Sequence, residues 1–300
     1  MKKVLLLLVV SVQFLFAQQI HVKTVEKIVV PNNVGLHHPI FSPAGDYLLA
    51  TAENFTGLQL YSFDTKTFTT ITTDAGAGYG VQISEDGNSV LYRRTELVNR
   101  LKFSSLMEYS RTNAQAKQLV SPTREAISAK FVANKPMYLK SKKLVRNNIS
   151  SAEASPLIAI ENQKMVIYNA NSQKTIAPNG QNASYFWASI SPNKKNIVYT
   201  VAGKGTFVCN IDGTNPISLG KLGAPVWLNN TWIVGMDDKD DGEKLLSSQL
   251  VATTINAKTR QTITTPIGIM AMYPATTADG SKIAFNTEKG EMYLLNIEIK

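Results

Sequence analysis

One turn pattern recurs six times along the chain, and it constrains the fold more than any other feature. Each copy follows an apolar or weakly apolar position and is rich in Pro, Asn, Asp or Gly, residues that preset a tight reversal between antiparallel strands. The copies lie at residues 42–46, 84–88, 133–136, 191–195, 228–231 and 278–281. Their average spacing of about 47 residues predicts a structural repeat.

Short alternating runs of Val, Ile, Tyr, Phe and Thr surround every turn, and no segment after residue 17 has a convincing helical period. In each copy one strand precedes the turn, a second follows it, and a third strand comes next, with a short outer strand after five of the six. Four short antiparallel strands of this kind form one blade of a β-propeller. We therefore predict an all-β fold, a six-bladed β-propeller with four-stranded blades that forms a single domain over residues 18–300.

The two ends of the chain complement each other. In the sixth copy the chain stops at Lys300, soon after the third strand at residues 292–297, and no outer strand follows. A matching strand stands at residues 26–30, near the other end. We predict that this N-terminal strand completes the last blade, which closes the ring and covers a strand edge that would otherwise invite aggregation.

The first seventeen residues have the pattern of a secretory signal peptide. Lys2 and Lys3 precede an apolar run from Val4 to Phe16, and Ala17 stands before a polar pair. The run is shorter than the ~20 residues that span a bilayer. We expect cleavage after Ala17, a mature chain without a transmembrane segment, and a periplasmic or secreted location; an uncleaved N-terminal anchor is the alternative.

The turns resemble those of a known propeller family. Segments 42–46, 84–88 and 191–195 are variants of a Ser-Pro-Asp-Gly turn, and tandem turns of this kind in an exported bacterial chain resemble the TolB-like propeller repeats. The resemblance covers about residues 20 to 298. It implies the fold rather than a function, because one fold hosts many roles. It is confined to the propeller, since residues 18–31 suffice for one strand and not for the separate N-terminal domain of TolB.

The net charge narrows the classes of partner, and the single cysteine narrows the possible covalent links and metal sites. Removal of Lys2 and Lys3 leaves 29 of the 31 basic residues against 22 acidic ones, a net charge of 29 − 22 = +7. This charge favours anionic surroundings such as phospholipid, lipopolysaccharide or acidic glycan, whereas export makes nucleic acid a poor candidate. Cys209 is the only cysteine, so an internal disulfide and a zinc site built on cysteines are excluded.

Three segments exceed the repeat, and we expect binding on the face that carries them. They are residues 93–105, 141–163 and 236–248, predicted opposite the tight turns, where loops on a rigid scaffold carry function. The bounds of the second segment, residues 141–163, depend on the prediction that residues 165–169 form the third strand of the third blade. The first two are basic, and solvated loops are the alternative to a docking surface. The candidate partner-binding residues are Arg93, Arg94, Arg100, Lys102, Lys140, Lys142, Lys143 and Arg146.

The third segment is acidic, and hard oxygen ligands suit calcium. Asp237 and Asp241 fit the spacing of a calcium-binding loop, but Lys239 occupies a ligand position, and a hairpin turn at Asp241 explains the same residues. His37 and His38 are weak metal candidates, because adjacent strand residues point to opposite faces and cannot easily share an ion. We expect no cofactor, with calcium as the alternative.

The sequence offers no catalytic residue. No Gly-x-Ser-x-Gly nucleophile motif is present, and nothing in the sequence brings two carboxylates to the separation that glycoside cleavage requires. We predict a non-enzymatic propeller that binds a protein partner of the bacterial envelope through its loop-rich face. The alternative is a carbohydrate-binding or oligosaccharide-lyase-like propeller acting at the mouth of the central channel. A cluster of aromatic and polar residues around His37 or His38 at that mouth would favour this alternative.

The exported protein should begin near Gln18, because the charged residues, apolar run and small residue before it match a cleaved signal peptide. N-terminal sequencing of protein recovered outside the cytoplasm measures this directly. Exported material that still begins at Met1 would contradict the prediction.

Overall fold

The computed structural model describes residues 18–31, 34–146, 148–150 and 155–300 of the chain. Within these residues the strands form seven antiparallel sheets, the blades of a propeller. The predicted all-β propeller is therefore confirmed, and the predicted number of six blades is wrong. The predicted signal peptide, residues 1–17, lies outside the described residues.

The described part of the chain contains twenty-six strands, and blades are numbered here in chain order. The first strand is β1 (Ile20–Ile28). Blade 1 contains β2 (His37–Phe41), β3 (Tyr47–Thr51), β4 (Leu58–Ser62) and β5 (Phe68–Thr72), with a 3-10 turn at Glu53–Phe55. Blade 2 contains β6 (Gln82–Ile83), β7 (Ser89–Val98), β8 (Leu101–Ser110) and β9 (Gln115–Thr123). Blade 3 contains β10 (Ala129–Val132), β11 (Lys135–Lys140) and β12 (Lys143–Arg146).

The remaining four blades continue in the same order. Blade 4 contains β13 (Leu157–Glu161), β14 (Lys164–Tyr168) and β15 (Gln173–Ile176). Blade 5 contains β16 (Tyr185–Ile190), β17 (Asn196–Val201), β18 (Gly205–Asn210) and β19 (Ile217–Gly220). Blade 6 contains β20 (Gly223–Trp227), β21 (Trp232–Asp240), β22 (Leu245–Thr254) and β23 (Arg260–Thr262). Blade 7 contains β24 (Met272–Thr276), β25 (Lys282–Asn286) and β26 (Met292–Ile299), together with β1.

The seventh blade comes from the segment predicted as an insertion in the third blade. Residues 141–163 contain β12, the third strand of blade 3, and β13, which begins blade 4. Residues 165–169, predicted as the third strand of the third blade, fall mostly in β14 of a separate sheet. The two hairpin turns involved, Ser141-Lys142 and Asn162-Gln163, adopt positive φ without any glycine or proline. They therefore lack the usual signature of a two-residue turn.

The N-terminal strand closes the ring. β1 pairs antiparallel with β26, so that Ile20 lies opposite Ile299 and Ile28 opposite Met292. The strand begins earlier than the predicted run at residues 26–30 and ends at Ile28. It also contacts blade 6, because the Gln261 side chain accepts a hydrogen bond from the Ile20 backbone N–H at 2.9 Å.

A hydroxyl side chain organises four of the recurring turns. Ser84 Oγ donates to Asp86 Oδ1 at 2.6 Å and accepts from the Ser89 backbone N–H at 2.8 Å. Ser42, Ser191 and Thr277 make the same pair of contacts in blades 1, 5 and 7. These bonds satisfy backbone donors that the reversal would otherwise leave unpaired, which explains why Ser or Thr recurs there.

The hydrophobic core of the described residues is divided into seven clusters, one between each pair of neighbouring blades. Every blade thus buries both of its faces, and a second strand such as β3 is buried at all five positions. β1 contributes to two clusters, since Ile20 packs between blades 6 and 7 and Ile28 between blades 7 and 1.

Shortening these two isoleucines should weaken the whole ring. Ile20→Ala and Ile28→Ala each remove a side chain that is at most 3% exposed, and we expect each to lower the free energy of unfolding by about 2–5 kcal/mol. Val25→Ala on the same strand is the control, because Val25 is exposed and should cost no more than ~0.5 kcal/mol. Urea unfolding of the three variants measures the difference. Equal effects at buried and exposed positions would show that β1 does not secure the closure.

Candidate binding site at the mouth of the central channel

Four rings meet where blades 7, 1 and 2 adjoin. His38 stacks on Phe55 at 4.5 Å between centroids and packs against Tyr273 at 4.0 Å. Phe55 meets Tyr79 edge to face at 5.3 Å, and the Arg93 guanidinium lies 4.5 Å from the centroid of the Tyr79 ring. His38, Phe55, Tyr79 and Tyr273 are called the aromatic patch below.

The strand order of a propeller places the patch at the channel mouth on the loop-rich face. His38 and Tyr273 stand near the start of β2 and β24, which are the innermost strands of their blades and pack against each other. Phe55 belongs to the connection between β3 and β4, and Tyr79 to the connection that enters blade 2. Both connections lie on the face opposite the Ser- and Thr-organised turns.

A bulge in each innermost strand directs His38 and Tyr273 into the patch. The pairing register shifts between His37 and Ile40 in blade 1 and between Met272 and Ala275 in blade 7. His38 and Tyr273 adopt φ values of 52° and 49°. A bulge of this kind reorients one side chain relative to the pleat, and such features often border functional sites.

The bulge recurs in other blades. Blades 5 and 6 have the same register shift, with Trp187 and Ala224 at positive φ. In blade 2 the equivalent position, three residues before the end of the innermost strand, is Gly80, also at positive φ. The residue at this position differs from blade to blade, so each blade presents a different residue at the channel mouth.

Buried polar groups hold the patch in place. Asn286 of β25 is fully buried, and its Oδ1 accepts a hydrogen bond from the His38 backbone N–H at 3.0 Å. Its amide nitrogen lies 3.2 Å from Nδ1 of His37. The loop that carries Tyr79 is fixed by Gly78, whose N–H donates to the Phe55 carbonyl at 3.1 Å. A Cβ on Gly78 would lie only 2.4 Å from Cβ of Thr51.

Both histidines are neutral at physiological pH. Burial among the rings lowers the pKa of His38 to about 4, and the neighbouring His37 acts in the same direction. Burial also lowers the pKa of His37. The patch therefore presents an uncharged, largely apolar surface, with Tyr79 52% exposed at its edge. Such a surface can stack on rings and pack against apolar groups of a ligand.

The structure gives the eight predicted basic residues different surroundings. Arg93 is enclosed by its contacts with Tyr79 and with the Ile127 carbonyl, to which it donates, and burial lowers its pKa. Arg94 donates to the Gln118 side chain at 2.9 Å and pairs with Glu96 at 3.3 Å. Arg146 is half-buried. The remaining five are exposed: Arg100, Lys102, Lys140, Lys142 and Lys143.

The predicted loops are largely β-hairpins. Residues 93–105 and 236–248 extend the β7–β8 and β21–β22 hairpins beyond their blades. Asp237 pairs with Arg260 at 3.4 Å. Asp241 accepts hydrogen bonds from the backbone N–H groups of Glu243 and Lys244, which lower its pKa.

Metal candidates are dispersed in the structure. The rings of His37 and His38 make contacts with different partners, Asn286 for one and Phe55 and Tyr273 for the other. Among the described residues, no group of three or more His, Cys, Asp or Glu side chains is placed to hold a metal ion.

Sequence reasoning singled out His38 but missed Phe55, Tyr79 and Tyr273. These three residues lie in separate blades or connections, so no linear motif unites them. A partial signal was present: His38-Pro39 and Tyr273-Pro274 occupy the same position before the turn of their repeats. That shared position could have indicated that the two side chains lie side by side.

Comparisons with known proteins show the fold. TolB from Acinetobacter baumannii is similar with a TM-score of 0.54 and 15% identity, over 81% of this chain and 57% of that one. The β-propeller domain of Cps50 (Swd1) from Myceliophteria thermophila is similar with a TM-score of 0.60 and 8% identity, over 93% of this chain and 99% of that one. An oligogalacturonate lyase from Vibrio parahaemolyticus has a TM-score of 0.48 and 11% identity, over 87% and 78% of the chains.

The first two likenesses show a β-propeller fold, and the predicted resemblance to TolB-like propellers is confirmed at the level of the fold. The chain spans 57% of the length of the TolB chain that it matches. No protein-family model matches the sequence, and no curated protein is matched by it. In the described ranges, no helix is long and apolar enough to cross a membrane.

The buried, neutral His38 should make stability depend on pH. Its pKa is about 4 in the folded chain and about 6.5 in the unfolded one, so between these values the unfolded chain binds more protons. Stability should be full above pH ~6.5 and should fall as pH drops towards 4. His38→Phe keeps a ring but cannot titrate, so it should lose less stability than wild type between pH 7 and pH 5.

Urea midpoints of the wild type and the variant at the two pH values measure this effect. Val25→Ala is the control, because Val25 lies exposed on β1 and has no titratable group, so its replacement should leave the pH dependence as in the wild type. An unchanged pH dependence in His38→Phe would contradict the prediction.

Proposed function

We propose that this chain is a non-enzymatic binding propeller that recognises a protein partner of the bacterial envelope through its loop-rich face, with the aromatic patch as anchor. The observation that carries the proposal is the meeting of three aromatic side chains and a histidine ring from blades 7, 1 and 2 at one position. The envelope location is inferred from the signal-like N-terminus.

The composition of the patch supports a protein partner. Tyr and Arg are enriched among the residues that dominate interface energies, and an aromatic side chain contributes a large contact area with few rotatable bonds. Tyr79 offers such an area at the rim, and Arg93 backs its ring at 4.5 Å. The patch is also held rigidly by Asn286 and by the packed loop at Gly78, so little conformational entropy would be lost on binding.

A carbohydrate ligand is the second candidate. The cluster includes His38 and lies at the channel mouth, which is the arrangement expected for that function from the sequence. Aromatic rings pack against the apolar faces of sugars as readily as against protein side chains, and neutral histidines leave hydrogen-bonding nitrogens for hydroxyl groups. The protein partner is preferred because an exposed tyrosine ring backed by an arginine guanidinium is typical of the residues that dominate protein interfaces.

Removing the exposed ring should weaken capture without unfolding the propeller. Tyr79→Ser deletes a side chain that is 52% exposed, and loss of an aromatic anchor weakens an interface by about tenfold or more. Ile217→Ser is the matched control, because Ile217 is 39% exposed on the outermost strand of blade 5, away from the channel. Thermal unfolding should be nearly unchanged for both variants.

Quantitative pull-down from envelope extracts, treated or untreated with protease, compares wild type, Tyr79→Ser and Ile217→Ser. A protease-sensitive partner that Tyr79→Ser loses and Ile217→Ser keeps supports the protein-binding function. A protease-resistant glycan with the same dependence on Tyr79 supports the second candidate instead. Equal capture by all three proteins would contradict a role for the aromatic patch.

A further inference from the structure

The β7–β8 hairpin of blade 2 projects beyond its sheet. β7 and β8 have ten residues each, whereas β3 and β4 of blade 1 have five. The two strands pair residue for residue out to Val98 opposite Leu101. The outer neighbour β9 pairs with β8 no further than Ser104, and the inner neighbour β6 pairs with β7 no further than Leu91. Residues 96–103, called the hairpin tip below, extend past both flanking strands.

The hairpin tip combines exposed aliphatic side chains with cations. Leu97, Val98 and Leu101 are 76%, 48% and 44% exposed. Arg100 and Lys102 stand among them, also exposed. The turn between the strands is a tight one, with Asn99 and Arg100 at φ values of 51° and 65°. Val98 and Leu101 pair across the turn and share one face of the hairpin, whereas Leu97 lies on the other face opposite Lys102. Both faces of the tip therefore expose apolar area of the kind that marks an interaction surface.

We propose that the hairpin tip inserts into the surface of an anionic phospholipid membrane. Leu97, Val98 and Leu101 would enter the boundary between headgroups and acyl chains, and Arg100 and Lys102 would contact lipid phosphates. The only carboxylate of the tip, Glu96, already pairs with Arg94 at 3.3 Å, so it leaves the tip positively charged. Cations beside a membrane are attracted by its negative surface potential, and this attraction adds to the burial of apolar area.

The shape of the tip favours lipid over a folded partner. The aliphatic residues lie at the end of a projecting two-stranded hairpin, and a protein would need a matching apolar groove to cover them. A membrane surface needs no such complement, since acyl chains adapt to the inserted side chains. The net charge of the chain from Gln18 onward, 29 − 22 = +7, acts in the same direction by attracting the whole molecule to an anionic surface.

Blade 6 provides an internal comparison. Its β21–β22 hairpin is nearly as long, with strands of nine and ten residues. Its end carries three acidic residues, Asp240, Asp241 and Glu243, against Lys244, beside a single exposed Leu246. An anionic surface would repel this end. The two hairpins therefore differ in their chemistry rather than in their architecture, which makes Leu246→Ser a matched control.

The test uses the chain from Gln18 onward, because it contains all seven blades and lacks the apolar run at residues 4–16 that would itself enter lipid. Binding is measured by flotation with two kinds of vesicle, equimolar phosphatidylglycerol and phosphatidylcholine, or phosphatidylcholine alone. The variants are L97S/V98S/L101S, R100Q/K102Q and Leu246→Ser. Circular dichroism melting establishes that each variant is folded.

We expect the wild type to bind the anionic vesicles and the L97S/V98S/L101S variant to bind at least about tenfold more weakly. R100Q/K102Q should lose affinity for the anionic vesicles, and wild-type binding should weaken as salt shortens the Debye length from ~8 Å to ~3 Å. Leu246→Ser should bind as the wild type does. These results together support insertion of the tip.

Several outcomes overturn the proposal. One is absence of vesicle binding by the folded wild type, and another is equal binding by wild type and the triple variant. Equal wild-type binding to both kinds of vesicle would contradict an attraction between the cations of the tip and anionic lipid. Self-association of the wild type that the triple variant loses, without vesicle binding, would assign the tip to a second copy of the chain. Capture of a protein by the tip in lipid-free extracts, again without vesicle binding, would assign it to a protein partner.

Discussion

Each blade of this propeller is stabilised by apolar contact with the blade on either side, and this interdependence makes closure of the ring the central constraint. The seven clusters of buried residues in the described chain each join two neighbouring blades. A blade without a neighbour would expose one apolar face and an open strand edge. β1 prevents this at the junction of the two chain ends, because it pairs with β26 while Ile20 and Ile28 pack into the clusters on opposite sides of blade 7. The position of every innermost strand, and hence of the aromatic patch, depends on that closure.

The sequence predicted the blades whose turns have a distinct chemistry. In blades 1, 2, 5 and 7 a Ser or Thr hydroxyl bonds both an Asp or Asn side chain and a backbone N–H, and this need for a short hydroxyl side chain is visible as a repeat. The boundary between blades 3 and 4 has no such signal. The turns at Ser141-Lys142 and Asn162-Gln163 reach positive φ without glycine or proline. The sequence therefore predicts one long insertion where the structure has two hairpins. The predicted number of blades is wrong because tertiary packing, rather than residues typical of turns, fixes these two hairpins.

The candidate site was less predictable than the fold, for a related reason. The patch is assembled by the same bulge acting in neighbouring blades, and its members are separated by up to 235 positions between His38 and Tyr273. The bulge occurs in blades 1, 5, 6 and 7, and ring closure decides that the bulges of blades 7 and 1 become neighbours. Phe55 and Tyr79 come from connections whose lengths follow no repeat. A search for local motifs could therefore identify His38 and could not identify the surface to which it contributes.

The four basic residues of the β7–β8 hairpin in blade 2 have different roles. Two of them make contacts within the fold, and two lie at the proposed binding surface. Arg93 contacts Tyr79 and the Ile127 carbonyl, and Arg94 contacts Gln118 and Glu96, so their charges are used within the fold. Arg100 and Lys102 lie beyond both flanking strands, beside aliphatic residues that the fold does not cover. A count of basic residues treats all four alike. The structure instead divides the hairpin into a base that supports the aromatic patch and a tip whose charges remain available to an anionic surface. Because Arg93 joins the base to Tyr79, the two proposed surfaces lie on one continuous hairpin.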